Sequence, residues 1–111
     1  MILGDSISIG YTPYVKQQLK GMANLYRTVF ENGKNENCQG TTNGLMHIDR
    51  WIGNKQWDII HFNFGLHDLK HVDPITGKNS KKKEDPYQVN PKQYKKNLTA
   101  LVEKLKKRLE K

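Results

Sequence analysis

Trp57-Asp58-Ile59-Ile60-His61-Phe62-Asn63-Phe64-Gly65 is the stretch on which the fold turns. Ile59 stands beside Ile60, and Phe62 and Phe64 follow at alternate positions. A short β-branched and aromatic run of this kind is what a strand covered on both faces of a sheet requires. The reading predicts a strand over Trp57–Phe64, terminated by Gly65.

On the amino-terminal side, Leu45, Ile48 and Ile52, with Met46 and Trp51 beside them, predict a helix from about Thr42 with one face buried. Before it, Glu31 to Thr41 is polar and contains glycine, which reads as loop. Leu25, Tyr26, Val29 and Phe30 predict a second strand over Asn24–Phe30. Pro13 to Lys20 reads as a helix, with Pro13 in its first turn, Val15 and Leu19 four apart and Gly21 as the stop. Ile2-Leu3 reads as the end of a buried strand, and Gly4 to Ser8 as the turn after it. On the carboxyl-terminal side, His71 to Val89 is a long loop rich in Lys, Asp, Gly and Pro. Asn90-Pro91 then caps a last helix in which Tyr94, Leu98, Leu101, Leu105 and Leu109 recur at three- and four-residue steps. The resulting β-α-β-α-β-α order implies an α/β protein with a parallel sheet and right-handed crossovers. The 111 residues show no repeat and no linker, and read as part of one domain, 1–111.

The net charge of +8 is unevenly distributed. Residues 1–77 hold seven basic and seven acidic side chains, whereas 78–111 hold twelve and four. A basic segment can serve anionic partners. No aromatic residues alternate with Lys81-Lys82-Lys83 to stack bases, however, so the lysines read as a solvated loop and helix face and argue against a nucleic-acid function. Cys38 is the single cysteine, which excludes an internal disulfide and a cysteine-based zinc site and reads as a small buried hydrophobe. No apolar run approaches the roughly 20 residues of a membrane span. Met1-Ile2-Leu3 runs straight into Gly4 without the charged lead of a signal peptide, and the chain reads as beginning inside an element, so the sequence assigns no compartment.

In a parallel sheet, functional groups gather beyond the carboxyl ends of the strands. Three such ends carry groups useful to acyl transfer. Ser6 follows the first, where nearby backbone N–H groups can face an anion. Gly40 follows the second, where an unhindered N–H can approach a ligand closely. His67 and Asp68 follow the third. Singly these are a helix cap, a turn residue and a polar loop residue. Their placement at successive strand ends is what points to a site.

Gly4-Asp5-Ser6-Ile7-Ser8 resembles block I of the SGNH (GDSL-type) hydrolases, whose serine is the nucleophile. Asn37-Cys38-Gln39-Gly40-Thr41 is similar to block II, whose glycine supplies an oxyanion-hole N–H, and Gly65-Leu66-His67-Asp68 resembles block III, normally Gly-x-Asn-Asp. The resemblance implies a three-layer α/β/α, flavodoxin-like fold, with sheet order 2-1-3 for the strands present. It also implies a serine ester hydrolase acting through an acyl-serine intermediate, without cofactor or metal, on small esters such as O-acetyl groups of carbohydrates. Ser6 would be the nucleophile, Gly40 and His67 would line the oxyanion hole, and Asp5 and Asp68 would fix the loops. His67 stands where the family has asparagine, and a ring N–H could donate in its place. The family's block V, Asp-x-x-His, has no counterpart, so the chain is expected to be an incomplete SGNH domain. A second polypeptide would complete the sheet and supply the base, or the open edge at Trp57–Phe64 would drive oligomerisation.

Two other readings compete. A catalytically inactive fragment or non-catalytic ligand-binding module of the same fold would keep the scaffold without the base. A metal site built from His67, Asp68 and His71 would use their close spacing, although no HExxH pattern accompanies them.

Overall fold

Two residues, Ile2–Leu3, form the first strand (β1) of the computed structural model, which describes residues 1–109. β1 pairs in parallel with β2, His61–Phe62, placing Ile2 opposite His61 and Leu3 opposite Phe62. His61 N–H donates to Met1 O at 2.8 Å and Asn63 N–H to Leu3 O at 3.0 Å. On the other edge, Ile2 N–H donates to Tyr26 O at 2.8 Å, and a single parallel bridge joins Ile2 to Arg27. Backbone groups of successive strand residues point to opposite edges, so β1 lies between its two neighbours. Among the described residues there are four helices: α1 (Ser6–Gln18), α2 (Thr41–Ile52), α3 (Leu66–Leu69) and α4 (Pro91–Leu109). The arrangement is α/β with parallel pairing.

The side chains of Ile2 and Leu3 point to opposite faces, as alternation along a strand demands. Leu3 is fully buried among Ile48 and Ile52 of α2, Leu101 and Leu105 of α4, and Phe64. Close packing of α2 needs Gly44: a Cβ there would stand 3.2 Å from the Phe64 ring and 3.3 Å from Leu101 Cδ1. Ile2 faces α1 instead, across a cleft of ≈ 730 Å³ that Val15, Leu19, Tyr26, Trp57 and Ile59 also line. Among the described residues, no helix is long and apolar enough to cross a membrane.

The two helices with the plainest periodicity form as expected. α4 starts at Pro91 with Asn90 Oδ1 accepting the Gln93 N–H at 2.8 Å, and its leucines turn inward while its lysines face out. α2 stops where Gly53, at φ 59°, closes the last turn through its N–H to Asp49 O.

Four expectations are corrected. α1 begins at Ser6 and contains Pro13, so Gly4 to Ser8 is not a turn. Asp5 accepts the Ile7 N–H at 3.0 Å and starts the helix earlier than the proline signal indicates. The strand expected over Asn24–Phe30 is reduced to bridges at Arg27 and Val29, the latter antiparallel to Asn35 across the turn at Gly33. The strand expected over Trp57–Phe64 is reduced to His61–Phe62, and Ile59 is 74% exposed. Both segments reach β1 over a short stretch: the first at Arg27 alone, the second at His61–Phe62, with Met1 N–H donating to Ile59 O at 2.8 Å beside it. Finally, the His71–Val89 loop carries antiparallel bridges of its own, His71 to Tyr87 and Val72 to Asn79, and α3 precedes it.

Side-chain hydrogen bonds take over where ladders are short. Glu36, only 4% exposed, accepts from Thr28 Oγ1 at 2.9 Å, both Arg50 terminal nitrogens at 3.1 and 2.7 Å, and Trp51 Nε1 at 3.0 Å. This clamps the loop after residue 30 to α2. Cys38, fully buried in the same region, behaves as the small hydrophobe expected, and burial pushes its thiol up to about 11.

Burial alone would raise the Glu36 carboxyl, but hydrogen bonds from Arg50, Trp51 and Thr28, with the Arg50 charge, outweigh it and hold the group below its ordinary value. A carboxyl lowered on folding adds stability that is complete above the unfolded value and is lost as pH falls through the folded one. Glu36→Gln is therefore expected to lower stability by about 1–3 kcal/mol at neutral pH. It should also flatten the decline of the urea midpoint below pH about 4.5. A variant with wild-type stability and the same acid limb would show that the clamp carries no energy.

Candidate active site

The chain leaves β1 through Gly4 and enters α1 through Asp5, which places Ser6 at the first helical position, exposed to solvent. A side chain at Gly4 would collide with the Asn63 amide and stand 2.8 Å from Ser8 Cβ, so β1 and α1 can join this closely only through glycine. Asn63, just past β2, donates through Nδ2 to Asp5 Oδ1 at 3.2 Å and accepts from Tyr11 Oη at 3.3 Å. Asp5, 2% exposed, thus caps α1 and ties the ends of β1 and β2 together.

The second segment is fastened to the first by Cys38 N–H donating to Gly4 O at 2.9 Å. Gln39 then takes φ 59°, a left-handed conformation uncommon outside glycine, with its N–H bound to Asn37 Oδ1 at 2.8 Å. Gly40 follows as the N-cap of α2. A Cβ on Gly40 would come within 3.0 Å of Asp68 Oδ2 and 3.2 Å of Asp68 Cγ, so the glycine backbone lies directly against that carboxylate.

The third segment provides the fastening. Asp68, fully buried on α3, accepts the Thr41 N–H with both oxygens at 3.0 Å and also the Thr41 hydroxyl. Asn97 Nδ2 of α4 donates to Thr41 Oγ1 at 3.1 Å, Val89 N–H donates to Asp68 O at 2.8 Å, and Tyr94 Oη donates to Phe64 O at 2.5 Å. Burial, helped by the Asp68 charge, raises the Tyr94 phenol, which keeps it a donor. His67 sits on α3 one residue before Asp68, half-buried.

The segments carrying Ser6, Gly40 and His67 are thus linked at one end of the sheet, and Gly40 and Asp68 are in direct contact. Two nearby serines differ in state. Ser8 is fully buried, donates to Asp5 O at 2.6 Å and accepts from Arg27 at 3.1 Å. The Ser6 hydroxyl has no hydrogen-bond partner among the described residues. None of the four histidines bonds to it there either: His61 Nε2 lies 3.1 Å from Tyr11 Oη, and His71 Nδ1 lies 2.7 Å from Asp85 O. His47 packs beside the Trp51 ring. Neither Ser6, Gly40 nor His67 lines the large apolar cleft on the α1 face. Nor does His67, Asp68 and His71 form a metal cluster, since Asp68 is turned to Thr41 and no group of three or more His, Cys, Asp or Glu side chains converges among the described residues.

Sequence reasoning missed Asn63, Thr41 and Asn97. An asparagine inside the otherwise apolar run at Phe62–Phe64 was the available signal for the first; the other two have no local signal, because their partners are remote in sequence.

Comparison with protein-family models, curated proteins and solved structures returns no match.

Removing the Asp68 carboxylate would leave the Thr41 N–H and hydroxyl without their acceptor at a buried helix start. Asp68→Ala is expected to cost about 2–3 kcal/mol in urea unfolding, with Asp68→Asn costing less. Equal and negligible losses would contradict its fastening role.

Proposed function

We propose that this chain carries the nucleophile and oxyanion-binding part of an SGNH-type serine ester hydrolase with a three-layer, flavodoxin-like fold. The observation that carries the reading is the contrast between two serines. Ser6 is exposed at the first position of a helix directly beyond a parallel strand, while Ser8 is buried and committed to Asp5 O and Arg27. In this reading Ser6 Oγ attacks the ester carbonyl carbon as a base removes its proton. The backbone N–H groups of Ser6 and Gly40, with a ring N–H of His67, receive the oxyanion, and the alcohol leaves with a proton. Water then hydrolyses the acyl-serine, returning the acid and the free hydroxyl. Asp5 and Asp68 hold the segments and take no part in bond making. The substrate would be a small carboxylic ester, such as an O-acetyl group on a carbohydrate.

The base is the missing function. With no histidine bonded to Ser6 among the described residues, the reading requires it from a second polypeptide or segment, one that also extends the sheet at β2. The same observation favours the second reading, a non-catalytic binding module, which predicts that Ser6 stays inert.

The two readings separate in one labelling experiment. A fluorophosphonate, with imidazole added as a diffusible base, is expected to modify Ser6, as located by peptide mass spectrometry, and Ser6→Ala should remove the adduct. An adduct on Ser8, or none, would leave the binding module.

His67 can be tested in the complemented enzyme. As an oxyanion donor, His67→Asn should retain much of the activity, whereas His67→Ala should lower kcat by about 10²–10³ with little change in KM. Equal, near-total loss in both variants would instead assign the base to His67.

A further inference from the structure

The charge asymmetry of the sequence acquires a location in the fold. The excursion of residues 70–89 leaves from the end of α3 and returns to it, with Gln88 N–H on Lys70 O and Val89 N–H on Asp68 O, both at 2.8 Å. Its root is therefore within a few residues of His67. The excursion is internally bonded: Val72 N–H to Pro86 O and Ser80 N–H to His71 O at 2.9 Å, and Asp73 N–H to Lys78 O at 2.8 Å. Two of its acids are engaged within it. Asp73 Oδ1 accepts the Ile75 and Thr76 N–H groups at 2.8 and 2.9 Å, and Asp85 Oδ2 accepts the Ser80 hydroxyl at 2.5 Å. Lys78, Lys81, Lys82 and Lys83 are exposed, and none forms an ion pair among the described residues. α4 starts at the same end of the sheet, pinned by Tyr94 and Asn97, and adds the exposed Lys92 and Lys95.

We infer that this cationic loop-and-helix surface binds an acidic polysaccharide, so that the ester presented to Ser6 is an O-acyl group on a polyanionic glycan. The second half of that statement rests on the ester-hydrolase reading; the binding does not. The composition of the surface selects the partner. Its cations are lysines, point charges suited to dispersed carboxylate or sulfate groups. The one arginine of residues 78–109, Arg108, lies at the far end of α4 with its guanidinium on Gly53 O. Single-stranded nucleic acid would call for a series of stacking rings. The excursion offers one, Tyr87, half-exposed and stacked on His71 with centroids 4.8 Å apart, which suits a single pyranose ring. Lysines within a Debye length of one another act jointly on a polyanion, and salt weakens that action.

The test measures binding of fluorescent polygalacturonate to the full chain by anisotropy, with neutral dextran and duplex DNA as comparators. Polygalacturonate should bind, dextran should not, and the affinity should fall by about tenfold or more from low to high salt. K81E/K82E/K83E should weaken binding at least about tenfold at unchanged Tm, while Lys106→Glu with Lys107→Glu, at the far end of α4, should change it little. Absence of binding, equal binding of dextran, indifference to the loop variant, or tighter binding of DNA would each overturn the inference. Fluorophosphonate labelling of Ser6 reports separately. A labelled chain that ignores polygalacturonate loses only this inference, and an unlabelled chain that binds it loses the hydrolase reading.

Discussion

A buried carboxylate at the amino end of a helix organises this molecule. Asp68 has no exposed surface, and an ion taken out of water in this way costs several kcal/mol unless its oxygens are satisfied. Thr41 supplies a backbone N–H and a hydroxyl, and the amino end of α2 adds the favourable end of its dipole. The Thr41 hydroxyl in turn accepts from Asn97, and the Asp68 backbone carbonyl accepts from Val89. One residue therefore fixes α2, α3, the return of the long loop and the start of α4. Gly40 lies against the same carboxylate, so the position of the second candidate segment depends on it as well.

The dependence on side chains follows from how little sheet there is. Strands of two residues make few ladder bonds, and a sheet of that size cannot orient its connections through backbone pairing alone. Asp5, Asn63, Glu36 and Asp68 do the remaining work, each joining segments distant in sequence or starting a helix. Buried polar groups of this kind stabilise only when fully satisfied, which makes their geometry demanding and the loops they hold well defined.

The same economy sorts the polar residues around the end of β1. Ser8, Thr12 and Arg27 bond to one another beneath α1, whereas Ser6, two residues before Ser8, is carried to the outer surface by the turn of the helix. Charge is sorted along the chain instead. The balanced first part carries Ser6, Gly40 and His67, and the basic remainder supplies most of the long excursion and all of α4, whose leucines join the core while its lysines face out.

What the sequence determined by itself was local. α2 and α4 were legible because helical periodicity, the Asn90 cap and the Gly53 stop act within a few residues. The buried state of Cys38 was legible because a lone cysteine is ordinarily a small hydrophobe. The short steps from β1 to Ser6 and from β2 to His67 are local too, whereas the strand expected before Gly40 did not form. Where α1 begins was misread because Pro13 is the louder signal, yet Asp5 caps the helix first. Strand length was a tertiary decision. Asn24–Phe30 and Trp57–Phe64 have strand-like composition, but a ladder needs a partner in register, and the folded chain brings β1 against the first at Arg27 and against the second at His61–Phe62. The internal bridges of the His71–Val89 loop and the Asp68–Thr41–Asn97 chain were tertiary for the same reason. A hydrogen bond between residues 27 or 56 positions apart leaves no mark on the local pattern of either segment, and exists only once the chain has brought them together.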